Sequence, residues 1–296
     1  MVMAKRLLRH TYSLLHIEQV KLGVNWNYSN VISPYFRIYY IDDGEGHVYC
    51  ANEKIRLEPG YLYIIPSFTL CHLHCDNYLS QYFIHILEES ADGISLFENN
   101  RKMISVAATK TDITNFNRLL EINPGRGINR SDNPKVYEKN IYYSGYQELN
   151  NHLSDSVFFE TQGIILQFIS RFLGSRSFKK LKSAPIPSKI VDSMHFIQLN
   201  LNEDLSVALL AKRANLNQDY FSRLFFQATG GRPLEYVHSR RIERAQYLIA
   251  TTNLSFSEIA NQTGFDNVHH FSRIFKTITS VTPGKYKKAN ELIYSE

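Results

Sequence analysis

The sequence predicts an α+β protein of two domains: an amino-terminal half of short strands closing into a barrel, with helices after it, and an all-α carboxyl-terminal half. Three observations carry that expectation. Turn residues recur every few positions between apolar runs before residue 90, apolar residues recur with helical period in Val157 to Leu173 and again after Ser188, and Phe-Ser-Arg-x-Phe occurs twice, at 221–225 and 271–275.

In the amino-terminal half, Tyr35 to Ile41 reads as a strand, Asp42-Asp43-Gly44-Glu45-Gly46 as a turn, and His47 to Ala51 as the returning strand. Lys54 to Leu57 is a further strand, Pro59-Gly60 a turn, Tyr61 to Ile65 a strand, and Asn77 to Leu87 an extended segment. Short strands with frequent turns favour a barrel or sandwich over strand-helix-strand units. Val157 to Leu173 then reads as a helix with Phe158, Ile164, Ile165, Phe168, Ile169 and Phe172, more apolar surface than a solvent helix needs. Part of that surface is expected to pack on the barrel and part to form a contact between two copies of the chain. The domain is placed at residues 1–174.

Residues 175–187 change character: Ser175, Arg176, Ser177, Lys179, Lys180, Lys182 and Ser183 precede Pro185-Ile186-Pro187, a basic composition suited to a linker. The second domain is placed at 188–296, starting with a helix that uses Ile190, Met194, Phe196 and Ile197.

Within it, Leu205 to Phe225 and Leu254 to Phe275 repeat one pattern of helix, short turn and second helix. In the later copy Ser255-Phe256-Ser257-Glu258 is a capping box, Gly264 supplies a left-handed residue, and Asp266 is placed to cap the next helix. The earlier copy uses Ser206, a turn at Asn215 and a cap at Asn217. Pro233 to Ala250 reads as a long connecting helix with Tyr236, Val237, Ile242, Ala245, Leu248 and Ile249 as its buried stripe.

Composition narrows the function. The 296 residues are 44% hydrophobic, which is globular, and the net charge of +5 is divided unevenly: −2 over residues 1–174 and +7 over 175–296. A polyanion is therefore expected to meet the second half. Lys5, Arg6 and Arg9 precede no long apolar run, and no stretch approaches eighteen apolar residues, so neither a secretory leader nor a membrane span is expected. Cys50, Cys71 and Cys75 have no zinc-like spacing, consistent with a reducing cytoplasm.

A helix-turn-helix sets its second helix in the major groove with the early exposed residues nearest the base edges. Those are Gln218, Asp219, Ser222 and Arg223 in the first copy and Asn267, Val268, His269, His270 and Arg273 in the second. Arg pairs with guanine, Gln and Asn with adenine, and Val packs on a thymine methyl. Arg223 and Arg273 equally suit a phosphate or a carboxylate. Lys212, Arg232, Lys285, Lys287 and Lys288 are candidates for phosphate contact. With the repeats fifty positions apart, a rigid helix between them can hold the recognition helices roughly 34 Å apart, one turn of DNA.

Leu205-Ser206 through Ala211, Tyr220-Phe221-Ser222-Arg223-Leu224-Phe225, Glu235-Tyr236 with Arg241-Ile242-Glu243-Arg244-Ala245, Ser257-Glu258-Ile259-Ala260, Gly264-Phe265, His270 to Phe275 and Thr282-Pro283-Gly284-Lys285-Tyr286 closely resemble, in that order, the DNA-binding domain of the AraC/XylS family of bacterial transcription regulators. The resemblance covers about 100 residues and implies two helix-turn-helix units flanking a linking helix. It also implies a cytoplasmic bacterial protein, promoter DNA and RNA polymerase as partners, and transcriptional activation. Two residues depart from the family pattern: Leu209 stands where an acidic capping residue is usual, and Asn215 where the turn glycine is usual. Asp219, near expected phosphates, is a third peculiarity of the first unit.

Before residue 100, Tyr39-Tyr40-Ile41, Gly44-Glu45-Gly46, Glu58-Pro59-Gly60, Ile64-Ile65-Pro66 and His72 resemble the cupin-like sensor domain attached to many members of that family. Arg37, Tyr39, Tyr63, His72, His74 and Tyr82 are the candidates for an inward pocket, and the resemblance implies a small effector such as a sugar. His72 and His74 lack a third ligand, so no metal and no cofactor is expected. The expected function is a ligand-controlled, homodimeric, sequence-specific regulator and not an enzyme. The alternatives are a regulator whose first domain serves only dimerisation or protein interaction, and a cupin-like enzyme fused to a DNA-targeting module.

Overall fold

Strand pairing organises the first half of the chain. The computed structural model describes residues 10–50, 53–90, 95–98, 100–127, 148–178 and 187–291; Lys5, Arg6, Arg9, Ala51 and the linker residues Lys179, Lys180, Lys182, Ser183, Pro185 and Ile186 lie outside them. The chain divides into two compact units, the first holding the described residues within 10–90 and 95–178 and the second residues 187–289.

Among the described residues of the first unit, nine strands form two antiparallel sheets. β1 (His10–Gly23), β8 (Tyr78–Ser90), β3 (Phe36–Gly44), β6 (Tyr61–Ile65) and β9 (Ile104–Ala107) pair in that order in one sheet; β2 (Asn27–Val31), β7 (Cys71–His74), β4 (Gly46–Cys50) and β5 (Glu53–Leu57) pair in the other. The hairpin expected across residues 42–46 is not formed: β3 and β4 are joined through Glu45 but part into different sheets, β3 pairing with β6 and β8 and β4 with β5 and β7. Gly44 has φ +73°, and a Cβ there would run into the Tyr78 carbonyl, so glycine lets the strand end close against its neighbour.

The first sheet has two buried faces because side chains alternate along each strand. One face packs Phe36, Ile38, Tyr40, Ile64, Ile84 and Ile86 against two helices, α1 (Lys110–Ile122) and α2 (Asp155–Leu173), whose Phe116, Leu119, Ile165, Phe168 and Phe172 are fully buried. The opposite face puts Tyr39, Ile41, Tyr63, Ile65 and Phe83 against Val48, Cys50, Leu57, Cys71 and Leu73 of the second sheet. A bulge in β1 between Leu14 and His16 changes the strand's parity. It lets Leu14 and Ile17 both serve the helix side while His16 turns to the intersheet core beside His85.

The second unit is helical: α3 (Ser188–Leu199), α4 (Val207–Arg213), α5 (Gln218–Thr229), α6 (Pro233–Thr251), α7 (Phe256–Gln262), α8 (Val268–Thr279) and α9 (Pro283–Glu291). Ile190, Met194, Ile197, Leu210, Phe221, Phe225 and Val237 form the core around the first helix pair. Ile242, Ala245 and Ile249 on α6 are buried, as are Ile259, Phe265, Phe271, Phe275 and Tyr286 in the second pair.

Candidate nucleic-acid interface

The two helix pairs, α4–α5 and α7–α8, start from similar caps and differ in their turns. Ser255 Oγ accepts from Glu258 N at 3.2 Å while Glu258 Oε2 accepts from Ser255 N at 2.7 Å, a closed capping box that also holds the Glu258 carboxyl below the usual carboxylate range. Ser206 Oγ accepts from Leu209 N at 3.2 Å, but Leu209 has no oxygen to return the bond. Asn215 takes the left-handed turn position with φ 51°, and Gly264 takes the equivalent one with φ 76°. The second turn is one residue longer, the extra residue being Asp266. Asp266 is not the cap of α8: Asn267 is, its Oδ1 accepting from His270 N at 2.8 Å, the same bond Asn217 makes with Tyr220 N at 2.8 Å.

These caps aim corresponding residues outward. On α5, Gln218, Asp219 and Arg223 are exposed and Ser222 is half-buried; on α8, His269 and Arg273 are exposed and Val268 is half-buried. Phe221, Leu224 and Phe225, with Phe271, Ile274 and Phe275, occupy the inner sides. The fifty-residue offset pairs Gln218 with Val268, Asp219 with His269, Ser222 with Ser272 and Arg223 with Arg273. Ser272 is thereby a position that the sequence reading passed over, although the offset alone pointed to it.

His270 does not share the outward face. Its ring meets Phe265 edge-on at 5.6 Å and His238 of α6 at 5.9 Å, so it packs the second helix pair onto the linking helix. Asn267 is exposed, but its amide oxygen is engaged in the cap. Arg223 lies with its guanidinium 5.5 Å from the Tyr220 ring. Neither Arg223 nor Arg273 makes an ion pair with any described residue.

Lys212 lies in the last turn of α4, Arg232 precedes α6 with its backbone N–H bonded to Glu235 Oε2 at 2.9 Å, and Lys285 and Lys288 are exposed on α9. Lys287 is half-buried, its Nζ 5.7 Å from the Phe256 ring. The cations are spread over three elements, as positioning contacts to a phosphate backbone require.

The six pocket candidates of the first unit fall into three places. Arg37, Tyr39 and Tyr63 are buried between the sheets. Arg37 donates to Cys71 Sγ at 3.7 Å and to the Ser33 hydroxyl, and lies 5.4 Å from the Tyr35 ring centre. Tyr63 donates to Arg56 O at 3.0 Å and accepts from Glu58 N at 2.8 Å; burial pushes its hydroxyl up to about 12. Tyr82 is on the opposite face of its sheet, against Tyr40 and Phe116. His72 and His74 alternate with the buried Cys71 and Leu73, so they stand on the outer face of β7, in an open cleft of about 470 Å³ with Asn27, Ser29 and Tyr49. His74 Nε2 is 2.8 Å from Asp76 Oδ1. The expected single pocket is corrected accordingly: strand parity puts His72, His74 and Tyr82 away from the intersheet core.

His85 and His16 are the intersheet ionisable groups that sequence reading missed. Burial, then His16 and Arg37, hold His85 well below the ordinary 6.5, and burial lowers His16 against the opposing pull of Glu18. Among the described residues no group of three or more His, Cys, Asp or Glu is placed to hold a metal ion, and no helix is long and apolar enough to cross a membrane.

Residues 210–289 match the family model described as a helix-turn-helix domain. The Msm operon regulatory protein of Streptococcus mutans is 33% identical over 100 residues, 34% of each chain, so this chain spans about a third of that regulator's length. The TetD protein of transposon Tn10 from Escherichia coli is 34% identical over 99 residues, which are 33% of this chain and 72% of that one. The chain belongs to the AraC/XylS family of transcriptional regulators. Beyond the helix-turn-helix region the AraC/XylS likeness is one of fold. ToxT from Vibrio cholerae superposes with a TM-score of 0.51 at 16% identity, covering 94% of this chain and 98% of that one.

Proposed function

We propose that this AraC/XylS protein is a cytoplasmic, sequence-specific promoter-binding regulator that reads two successive major-groove segments with α5 and α8. The observation that carries the reading is the matched outward set on two equivalently capped helices: Gln218, Asp219, Ser222 and Arg223 on one, Val268, His269, Ser272 and Arg273 on the other. Arg223 and Arg273 read bases, while Lys212, Arg232, Lys285, Lys287 and Lys288 hold phosphates. Selection of duplexes from a random pool by the full chain, followed by footprinting in salt that suppresses nonspecific binding, tests it. A footprint without sequence preference would refute it. Activation through RNA polymerase follows from the family and is checked by transcription from a selected site.

Small-molecule control is the better reading of the first unit. A ToxT structure with a TM-score of 0.51 has an unsaturated fatty acid bound, and the intersheet core here buries the polar Arg37, His85, His16 and Ser33 together with the apolar side chains of Ile41, Val48, Ile65, Leu73 and Phe83. That combination suits an effector with a polar head and an apolar body better than a sugar, whose hydroxyls would meet apolar side chains. Titration with such compounds, monitored by thermal stability and by DNA affinity, distinguishes this from ligand-independent regulation, because an effector must bind two states unequally to change occupancy.

The active form is a homodimer paired through α2. Down its outer side run Ser156, Phe159, Gly163, Leu166 and Ser170, all exposed, then the half-buried Leu173. This is a seam with heptad spacing that alternates small and large. Antiparallel to a second copy, Phe159 meets Ser170, Leu166 meets Gly163 and Leu173 meets Ser156, so each large side chain faces a small one and the surface is complementary to itself.

A further inference from the structure

The two recognition helices belong to different helix pairs, and one buried cation near the middle of α6 joins those pairs. Arg241 donates from Nε to Leu201 O at 2.9 Å and from Nη2 to Glu203 O at 2.6 Å, both carbonyls lying in the segment that enters α4. Its guanidinium also lies over Phe265, 5.6 Å from the ring centre, in the turn between α7 and α8. Next to Phe265, a Cβ on Gly264 would strike the Leu201 carbonyl and come within 2.6 Å of Arg241 Nη2. One guanidinium therefore touches the entry to the first pair and the turn of the second. His238, one helical turn earlier, stacks on the same Phe265 at 6.1 Å and 22° and meets His270 of α8 edge-on. Asp204 and Asp266 act electrostatically on Arg241 from the two segments it joins.

We propose that Arg241 is a positioning residue for DNA specificity: by clamping the Leu201–Glu203 segment to the Gly264–Phe265 turn, it sets the spacing and rotational phase at which the two half-elements of a site are accepted. This rests on the two-groove reading proposed above. A planar fork with several donors can bond two carbonyls while stacking on a ring; a lysine ammonium is a point donor without a stacking face. One inserted base pair moves a half-element by about 3.4 Å and turns it by about 34°. Recognition helices locked together cannot follow that displacement, whereas helices joined only by a loosened α6 contact can.

The test uses the full chain and the site it selects from random duplexes. Affinity is measured for that site and for versions with one base pair inserted or deleted between the half-elements, using wild type and Arg241→Lys. Wild type should lose roughly 30-fold or more on each shifted site, within the range of a lost base contact. Arg241→Lys should lose less than about fivefold and keep the same base preferences inside each half-element. Equal spacing penalties in the two proteins, or a uniform weakening of Arg241→Lys at every spacing, would overturn the proposal, as would a wild type indifferent to spacing. If melting shows that Arg241→Lys unfolds the second unit, Phe265→Leu removes the stacking surface and is put through the same comparison, with the same outcomes deciding. A wild type that selects no sequence refutes the DNA-binding reading instead, so the two failures are distinct.

Discussion

Gly163→Leu should stabilise one copy of the chain and weaken the pair. Gly163 sits within α2, and a Cβ added there meets nothing within 4 Å, so the side chain is accommodated in the monomer. Replacing a helix-interior glycine with leucine gains about 0.6–1 kcal/mol in helix propensity. In the antiparallel pair the new leucine faces Leu166 of the other copy, and the two-fold axis makes that collision occur twice. Overpacking at about 1–3 kcal/mol per site gives about 2–6 kcal/mol against association. The middle of that range, about 4 kcal/mol, corresponds to a dimer Kd weakened by roughly 700-fold.

The second half of the experiment is the swap. Gly163→Leu combined with Leu166→Gly restores a large residue opposite a small one at both crossings and leaves the helix propensity summed over the two sites unchanged. The double variant should therefore recover most of the lost affinity. Leu166→Gly alone leaves two unfilled gaps; Leu166 is 47% exposed in the single copy, so about half of a leucine's burial, about 1 kcal/mol, is lost on each side. Sedimentation equilibrium on the full chain measures all four proteins, and a thermal melt confirms that each is folded. A Gly163→Leu protein that pairs as tightly as wild type refutes the register. A double variant no better than either single one does so too, and a monomeric wild type removes the dimer itself.

Arg223→Ala and Arg273→Ala should each reduce affinity for the selected site by about 1–3 kcal/mol and relax preference at one base position, whereas Lys212→Ala should weaken all duplexes alike and lower the salt slope by about one; quantitative binding across single-base variants separates the outcomes, and uniform weakening by an arginine variant would assign it to phosphate. Leu209→Glu should supply the missing half of the first capping box, adding about 0.6 kcal/mol and slowing amide exchange in α4 roughly threefold; unchanged exchange would contradict the capping account. The first unit should lose stability as pH falls below the ordinary imidazole value of 6.5. His85 and His16 have folded values below their unfolded ones, so the unfolded chain binds protons first, and stability present above that pH declines down to the folded values. His85→Phe should flatten the acid limb of a denaturation series, and an unchanged limb would refute the assignment.

What was legible in the sequence was local. The strands around Tyr39, Val48, Ile55 and Tyr63 follow from apolar runs broken by turn residues, and α7 follows from Ser255 and Glu258 because a capping box is complete within four positions. β1 was missed because Thr11, Ser13, His16 and Glu18 look like interruptions until the bulge after Leu14 is known; alternation then resumes on the other parity. The same dependence on parity divided the pocket candidates. His-x-His correctly implies a shared face, but only the burial of Cys71 and Leu73 tells which face that is.

Gly264 marks where local reading stops, and it bears on how the two units of the reader differ. Its left-handed φ of 76° explains why a glycine suits the turn, yet Asn215 holds the equivalent position at 51° without one. Conformation alone therefore does not account for the difference. Contact does: Gly264 is pressed by Leu201 and Arg241, groups supplied by a distant segment and by α6. An asparagine at 264 could adopt the backbone angle and would still displace the carbonyl that Arg241 binds. Gly264→Asn should accordingly keep α7 and α8 formed by circular dichroism while changing how the two helix pairs are held. The expected readout is the one given by Arg241→Lys, a flattened spacing profile with unaltered half-element preferences. A Gly264→Asn protein that keeps a sharp wild-type spacing profile would show that the close approach is relieved without moving the helix pairs, and would leave the turn angle as the residue's only role.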